Sequence, residues 1–285
     1  MSEDKPFDRQ LRRQRRDRAA LCLPDANYLH RHVADELMDR LQLVKRHFAG
    51  ALDLGSADGY LADHLRASGI ETVSADAGAL FAAATNGIQC DEDRLPFADG
   101  SFDLVVSVGA LDSVNDLPGA LTLIRRVLRP DGLFLAAFAG AGSLPRLRSA
   151  MNAADRVEGG AAPHIHPQID VRAAGDLLTR AGFALQVADA APVEVRFSSL
   201  MKLVHDLRSM AATNILGSRS TRPISRNGVA AAMADFESAA DPDGKTTERF
   251  EIVYFTGWAP APSQPKPARR GSATASLADA LRPKS

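Results

Sequence analysis

Apolar and polar positions change period along the chain, and the changes mark an alternation of helices and strands. From Tyr28 to Val44 the apolar positions Val33, Leu37, Leu41 and Val44 recur close to every 3.6 residues, which predicts a helix. Gly50 to Leu54 predicts a first strand, followed by a helix from Tyr60 to about Ser68. Glu71 to Ala75 predicts a second strand and Gly87 to Cys90 a short third, and Leu95 to Gly100 reads as a turn. The strand Phe102 to Val108 contains Leu-Val-Val-Ser-Val, the nearly unbroken apolar run expected where both faces of a parallel sheet are covered. A helix Leu117 to Leu128 is stopped by Arg129-Pro130-Asp131-Gly132, and Leu133 to Phe138 is the next strand. Further on, helix Asp170 to Ala181, strand Ala184 to Ala188, a helical pattern from Leu200 to Ile215 and a last strand Arg249 to Trp258 complete the pattern.

This βαβα alternation predicts an α/β fold built on a doubly wound, mostly parallel sheet with helices on both faces. A ligand of such a sheet sits beyond the carboxyl ends of the strands, where Asp53, Gly55, Asp76, Asp91 and Val108 all fall. Residues 1–27 read as a basic N-terminal arm and 28–258 as the folded domain. Residues 194–249, a helical insertion before the last strand, are a candidate lid or substrate platform. The segment 259–285, rich in proline and small residues, predicts a tail without packed structure.

Composition narrows this little. With 285 residues, 45% apolar and 24% charged, the chain is of ordinary globular type, and a net charge of -1 exerts no global pull on nucleic acid. Two cysteines, Cys22 and Cys90, are too few for a disulfide framework or a structural zinc site, and no apolar run approaches a membrane span. No secretory signal is visible at the start, so a cytoplasmic or peripheral setting is expected. Charge is uneven, however. Arg9, Arg12, Arg13, Arg15, Arg16 and Arg18 stand against Asp17 in the arm, either as snorkelling side chains of a surface helix or as a docking face for an acidic protein, a membrane or, least expected, nucleic acid.

The densest chemistry lies in residues 51–59, Ala-Leu-Asp-Leu-Gly-Ser-Ala-Asp-Gly, where a strand ends in a glycine turn and feeds a helix N-terminus. Glycine lets the backbone approach a ligand, and the helix end offers unpaired N–H groups. Asp76 follows Gly55 at about the 20-residue interval at which such folds present a carboxylate to ribose hydroxyls. Ala57 stands where a Gly-x-Gly-x-x-Gly fingerprint needs its second glycine, which argues against NAD and for a related nucleotide cofactor.

Set in order, Leu52-Asp53-Leu54-Gly55-x-x-x-Gly59, Asp76, Asp91-x-x-x-Leu95-Pro96-Phe97, Ser101-Phe102-Asp103-Leu104-Val105 and Leu128-Arg129-Pro130-Asp131-Gly132 resemble the class I S-adenosylmethionine-dependent methyltransferases over residues 50–138. The resemblance implies a Rossmann-like fold with a seven-stranded sheet and S-adenosyl-L-methionine as cofactor. It implies that Gly55 and Gly59 bracket the methionine part, Asp53 favours the ammonium, Asp76 holds the ribose and Asp91 meets the adenine. Ser56, Ala77, Glu92 and Val108 complete the implied cofactor set. Carboxylates suit a cofactor bearing an ammonium and a sulfonium, where a pyrophosphate would want cations.

A narrower resemblance spans nearly the whole chain. Phe7-Asp8-Arg9, Val114-Asn115-Asp116-Leu117-Pro118, Gly159-Gly160-x-x-Pro163-His164-Ile165-x-Pro167, Arg180-Ala181-Gly182-Phe183 and Arg270-Gly271-Ser272-Ala273-Thr274 are similar to the methyltransferase-fold assembly factors of respiratory complex I and to the biotin-pathway malonyl-carrier-protein methyltransferases. It implies a methyltransferase acting on a protein side chain or a carrier-bound acid. The alternatives are a hydroxylase of an arginine in a complex I subunit, and a non-catalytic cofactor-binding assembly factor. The partner implied is a protein or carrier protein, in the cytoplasm or peripheral at the inner membrane, or in the mitochondrial matrix of a eukaryote. Methyl transfer from a sulfonium is an in-line displacement that needs alignment more than a dedicated nucleophile. Asp112, just past the fourth strand, either orients an amine or accepts a proton, or caps the helix beginning near Leu117. His164, His166 and His205 are candidates on the substrate side, with no metal set evident.

Overall fold

The computed structural model describes residues 5–265. The chain opens with α1 (Arg9–Ala19) and α2 (Tyr28–Gln42), then runs β1 (Gly50–Leu54), α3 (Tyr60–Ala67), β2 (Glu71–Asp76), α4 (Ala79–Ala84) and β3 (Ile88–Gln89). It continues through β4 (Phe102–Val108), α5 (Leu117–Val127), β5 (Leu128–Ala139), α6 (Pro145–Glu158) and α7 (Val171–Arg180). β6 (Ala184–Phe197), α8 (Leu200–Ser209), α9 (Arg226–Ser238) and β7 (Thr246–Trp258) complete it. The strands form one seven-stranded sheet in the order β3-β2-β1-β4-β5-β7-β6. β7 is antiparallel to both its neighbours, and the other pairings are parallel, so the mostly parallel sheet and the helical insertion before the last strand are as expected.

The apolar runs divide cleanly between two faces because side chains of a strand alternate. Leu104, Val106 and Val108 of β4 and Leu133, Leu135 and Ala137 of β5 pack on one side with α2, α3, α6, α8 and α9. Phe102 and Val105, with Phe134, Ala136 and Phe138, pack on the other side with α5 and α7. Among the described residues no helix is long and apolar enough to cross a membrane.

Three stretches differ from the sequence reading. β6 runs on to Phe197, well past Ala188, as an edge strand whose Pro192 pairs with Glu251. An edge tolerates the missing N–H of proline, which the pattern alone reads as a break. β5 begins at Leu128, because Leu128 pairs with Phe102 before the Arg-Pro-Asp-Gly turn, where Asp131 adopts φ +63°. The start of the tail is packed: Ala259 is buried, its N–H donates to Gly132 O at 2.8 Å, and Gln264 Nε2 donates to Asp131 Oδ1 at 2.9 Å. The Arg270-Gly271-Ser272-Ala273-Thr274 motif lies outside the described residues.

The basic arm forms α1. Asp8 caps it, accepting from Leu11 N at 2.9 Å, as the Asp in Phe-Asp-Arg would suggest. Phe7 anchors the entry: it bridges to Leu216, its N–H donates to Asn115 Oδ1 at 2.9 Å, and its side chain is buried with Ile215 and Leu216.

Candidate cofactor and substrate site

β1 delivers Asp53 and Gly55 to the carboxyl edge of the sheet, and β2 delivers Asp76 beside them. Gly55, at φ +82°, has no room for a side chain: a Cβ would lie 2.4 Å from that of Ala110. Gly59, also at φ +82°, opens α3. Between them Ala57 takes φ +46°, a left-handed conformation that costs a non-glycine residue roughly 1 kcal/mol. Its methyl group is buried against Ala19, Leu23 and Phe81.

The two ends of this edge differ in how their polar groups are satisfied. Asp53 is buried, and Ala62 N–H in the first turn of α3 supports its carboxylate, but Oδ2 has no partner; the buried Ser56 Oγ has none either. Burial, with the nearby charge of Asp76, pushes the Asp53 carboxyl up to about 7. An ammonium is the complement these two orphaned groups lack. Val108 and Ala57 line the adjoining cavity, so the residues at this end fit the amino-acid part of S-adenosylmethionine.

At the other end every carboxylate is taken by α1. Arg16 is bidentate on Asp76, with Nε 2.6 Å from Oδ1 and Nη2 on Oδ2, while Gly78 N–H (2.7 Å) and Ala57 N–H (3.1 Å) fill the remaining acceptor sites. Burial alone would raise the Asp76 carboxyl, but the Arg16 guanidinium and the two N–H groups outweigh it and hold it below the usual range. Arg12 is bidentate on Glu92 at 2.7 and 2.8 Å and also reaches Ala110 O and Ser113 Oγ. Asp91 receives Arg9 at 2.7 Å and also Arg13, and Arg9 is bidentate on Asp93. Burial opposes these pairs, yet the bonds from Arg9 and Arg13 hold Asp91 low. Ala77, next to Asp76, is buried with its carbonyl taken by Gln89. The residue types at this end suit a ribose and an adenine, but with α1 docked their acceptors are engaged.

A cavity of about 740 Å³ lies beside the glycine turn. Its walls are largely apolar: Leu29, Val33, Phe138, Leu147, Val204, Leu207 and Ile252 contribute, from both the sheet edge and α8. Asp112 lines it at the end of β4, and burial pushes its carboxyl up to about 6 against the pull of Arg12. The cap on α5 is Asp116, which accepts from Gly119 N–H, so Asp112 does not serve that role. His164 and His166 line the cavity on the Gly159–Pro167 loop. His164 Nε2 lies 2.8 Å from Asp155 Oδ1, and His166 Nε2 accepts from Ile215 N–H at 3.0 Å. Burial, then Arg15 and Arg12, push His166 down to about 4, so its ring is neutral. His205 is exposed and does not line the cavity, although its neighbours Val204 and Leu207 do. Among the described residues no group of His, Cys, Asp and Glu is arranged to hold a metal ion.

Sequence reasoning missed four cavity groups. His30 lines the cavity with Nδ1 unpartnered, and burial pushes its ring down to about 4. Arg15, Arg18 and Arg208 also line it. Arg15 is bonded to Thr213 Oγ1 at 2.7 Å, while the side chains of the exposed Arg18 and Arg208 form no hydrogen bond or ion pair with any described residue. Arg15 and Arg18 were visible as charge in the arm; nothing in the chain order brings Arg208 to them.

Comparison with known proteins agrees with this geometry. Residues 52–136 match the family described as a methyltransferase domain. Over 285 aligned residues the chain is 37% identical to the mitochondrial arginine-hydroxylase NDUFAF5 of Danio rerio, covering 96% of this chain and 88% of that protein. It is 32% identical over 268 residues to a malonyl-[acyl-carrier protein] O-methyltransferase of Laribacter hongkongensis, covering 86% and 87%. Among solved structures, the YcgJ protein of Bacillus subtilis is similar with a TM-score of 0.56 at 15% identity, covering 81% of this chain and 99% of that one. Phosphoethanolamine N-methyltransferase 2 of Haemonchus contortus, in complex with S-adenosyl-L-methionine, is similar with a TM-score of 0.50 at 14% identity, covering 80% and 53%. At these identities the structural likenesses show the fold alone.

Proposed function

Because the chain belongs to the S-adenosylmethionine-dependent methyltransferase family, we propose that it binds S-adenosyl-L-methionine and methylates an acceptor presented by a protein or a carrier protein. The observation that carries this reading is the apolar cavity that begins at Ala57 and Val108, next in the chain to the orphaned Ser56 and at the same sheet edge as Asp53, and extends to Asp112 and to Arg15, Arg18 and Arg208. When bound, the cofactor supplies a methyl group on a sulfonium, open to in-line displacement. Asp53 and Ser56 Oγ hold its ammonium, and the apolar walls exclude water from the transfer. Asp112 orients the acceptor: with its carboxyl near 6 it accepts a proton from an amine at neutral pH, and below that it donates to a carboxylate. Arg15, Arg18 and Arg208 give the cavity a cationic mouth, which suits an acidic carrier or an acidic protein surface.

A second reading is favoured by one observation, the 37% identity to an arginine-hydroxylase over 96% of the chain. The same pocket would then receive an arginine side chain of a complex I subunit at Asp112, with the three mouth arginines opposing it. Intact-mass analysis separates the readings. The protein is incubated in air with S-adenosylmethionine, a two-electron reductant and either malonyl-carrier protein or complex I subunits, so that dioxygen can supply one oxygen atom to a subunit and the reductant can carry the other to water. A gain of one methylene on either acceptor supports methyl transfer, and a gain of one oxygen on a subunit supports hydroxylation. Cofactor binding with neither gain, together with failed complex I assembly in cells lacking the chain, leaves a scaffold and sinks both enzymatic readings.

A further inference from the structure

Helix α1 presents Arg9, Arg12, Arg13 and Arg16 on one face, at the i, i+3 and i, i+4 spacings that put side chains side by side. Arg12 and Arg16 of that face are buried, while Arg9 and Arg13 stay partly exposed. The face meets the carboxylates at the ends of β2 and β3 that the proposed cofactor's adenosine half requires. A carboxylate has about four acceptor sites. In Asp76 all of them are used, two by Arg16 and one each by Gly78 and Ala57 N–H, and the residue has no exposed surface. Both oxygens of Glu92 are on Arg12. A ribose diol finds no acceptor there while α1 is docked.

The seat is built for the helix. At Gly78 a Cβ would stand 2.8 Å from the Cβ of Arg16, so glycine is what lets the helix come this close. The methyl of Ala57 packs under Ala19 and Leu23, and Arg16 lies 5.3 Å from the centre of the Phe81 ring. Asp17 Oδ1 accepts from Leu80 N–H at 3.0 Å, tying the helix to α4. Among the described residues, the buried side-chain polar atoms without a partner are those of Asp53, Ser56 and His30, and the α1 arginines bond none of these atoms.

We propose that α1 is a displaceable internal ligand of the cofactor site: its arginines occupy the ribose and adenine carboxylates, and the cofactor binds fully only as α1 leaves them. This rests on the reading that Asp76 and its neighbours hold the adenosine half. Displacement and binding are then linked, and by reciprocity whatever loosens α1 tightens cofactor binding by the same factor. The Phe7–Leu216 bridge and the Asn115 bonds lie outside the contested face, so the entry of the helix stays anchored while its arginines let go.

The test uses the full chain. Calorimetric titration with S-adenosylmethionine compares the wild type with Arg12→Ala/Arg16→Ala and with Gly78→Ala, and amide exchange of residues 9–19 is followed in the wild type with and without the compound. The expected result is an affinity gain in both variants within the roughly 5- to 150-fold range of site-to-site coupling, with faster exchange along α1 in the saturated wild type. Binding by the variants with none in the wild type also supports the proposal. If the double variant does not fold, Gly78→Ala, which keeps every ion-pairing group, and wild-type exchange decide. Binding to the wild type with α1 equally or better protected, and no gain in the variants, overturns the proposal while leaving the cofactor reading intact. Absence of binding in wild type and variants alike overturns that reading, and the proposal with it.

Discussion

Asp53 and Asp76 stand side by side at the ends of adjacent parallel strands, both buried, and their environments are opposite. Asp76 has a buried arginine and two backbone donors; Asp53 has one backbone donor and an oxygen with no partner. A carboxylate in the first setting stabilises the fold as an anion. In the second it costs stability as an anion until a cation arrives. Position in the fold is nearly the same for the two, so the difference comes from Arg16 of α1 together with the Gly78 and Ala57 N–H groups that turn towards Asp76 and not towards Asp53.

The largest effect expected from this contrast is a reversal of sign between matched substitutions. Asp76→Asn leaves the Arg16 guanidinium buried without a counter-charge, and breaking such a pair costs about 3–5 kcal/mol. Asp53→Asn removes an uncompensated charge and raises stability at neutral pH. Denaturant unfolding of the two variants at pH 7 checks this, and equal destabilisation by both would break the contrast.

A smaller effect follows from titration. The Asp53 carboxyl is raised in the folded chain to about 7 from an ordinary value of 3.8, so between those values the folded state binds more protons than the unfolded one. Its contribution therefore falls as pH rises through that window, by up to about 1.4 kcal/mol per pH unit before screening and relaxation reduce it. Asp76 runs the other way: its carboxyl is held low, so its stabilisation is present above the ordinary carboxylate range and is lost as pH falls below it. If an ammonium docks at Asp53, binding expels the proton, and affinity for S-adenosylmethionine rises with pH up to about 7. Titrations in buffers of different ionisation enthalpy read the released proton directly, and a buffer-independent enthalpy at pH 6 would remove Asp53 from the amine site.

How much of this was legible in the chain follows from where the information lies. β1, β4 and α5 were readable because period and stop signals are local, and the carboxylates were readable because strand ends in this fold are where ligands bind. Pro192 hid the second half of β6, since a proline reads as a break unless the strand is known to be an edge. The arginines of the arm were visible, but their destination was not. Arg16 and Asp76 are 60 residues apart, and the seat at Gly78 depends on how closely two helices approach. The Arg15, Arg18 and Arg208 mouth joins α1 to α8, a contact that no local pattern encodes.

The smallest effect concerns Ala57, which departs from the glycine expected at that point of the turn. Ala57→Gly removes a left-handed strain of roughly 1 kcal/mol but also a buried methyl worth about 0.8 kcal/mol, and adds chain entropy to the unfolded state. These terms nearly cancel, so the melting temperature should barely move. What changes is the side on which the methyl was acting. Its neighbours are Ala19 and Leu23, at the end of α1 and just after it, together with Phe81 of α4, so losing it loosens the α1 seat. Affinity for S-adenosylmethionine should then rise a few-fold at unchanged stability, with faster amide exchange confined to residues 9–19. A fall in affinity with α1 unchanged would mean that the methyl belongs to the cofactor's cradle rather than to the helix that covers it.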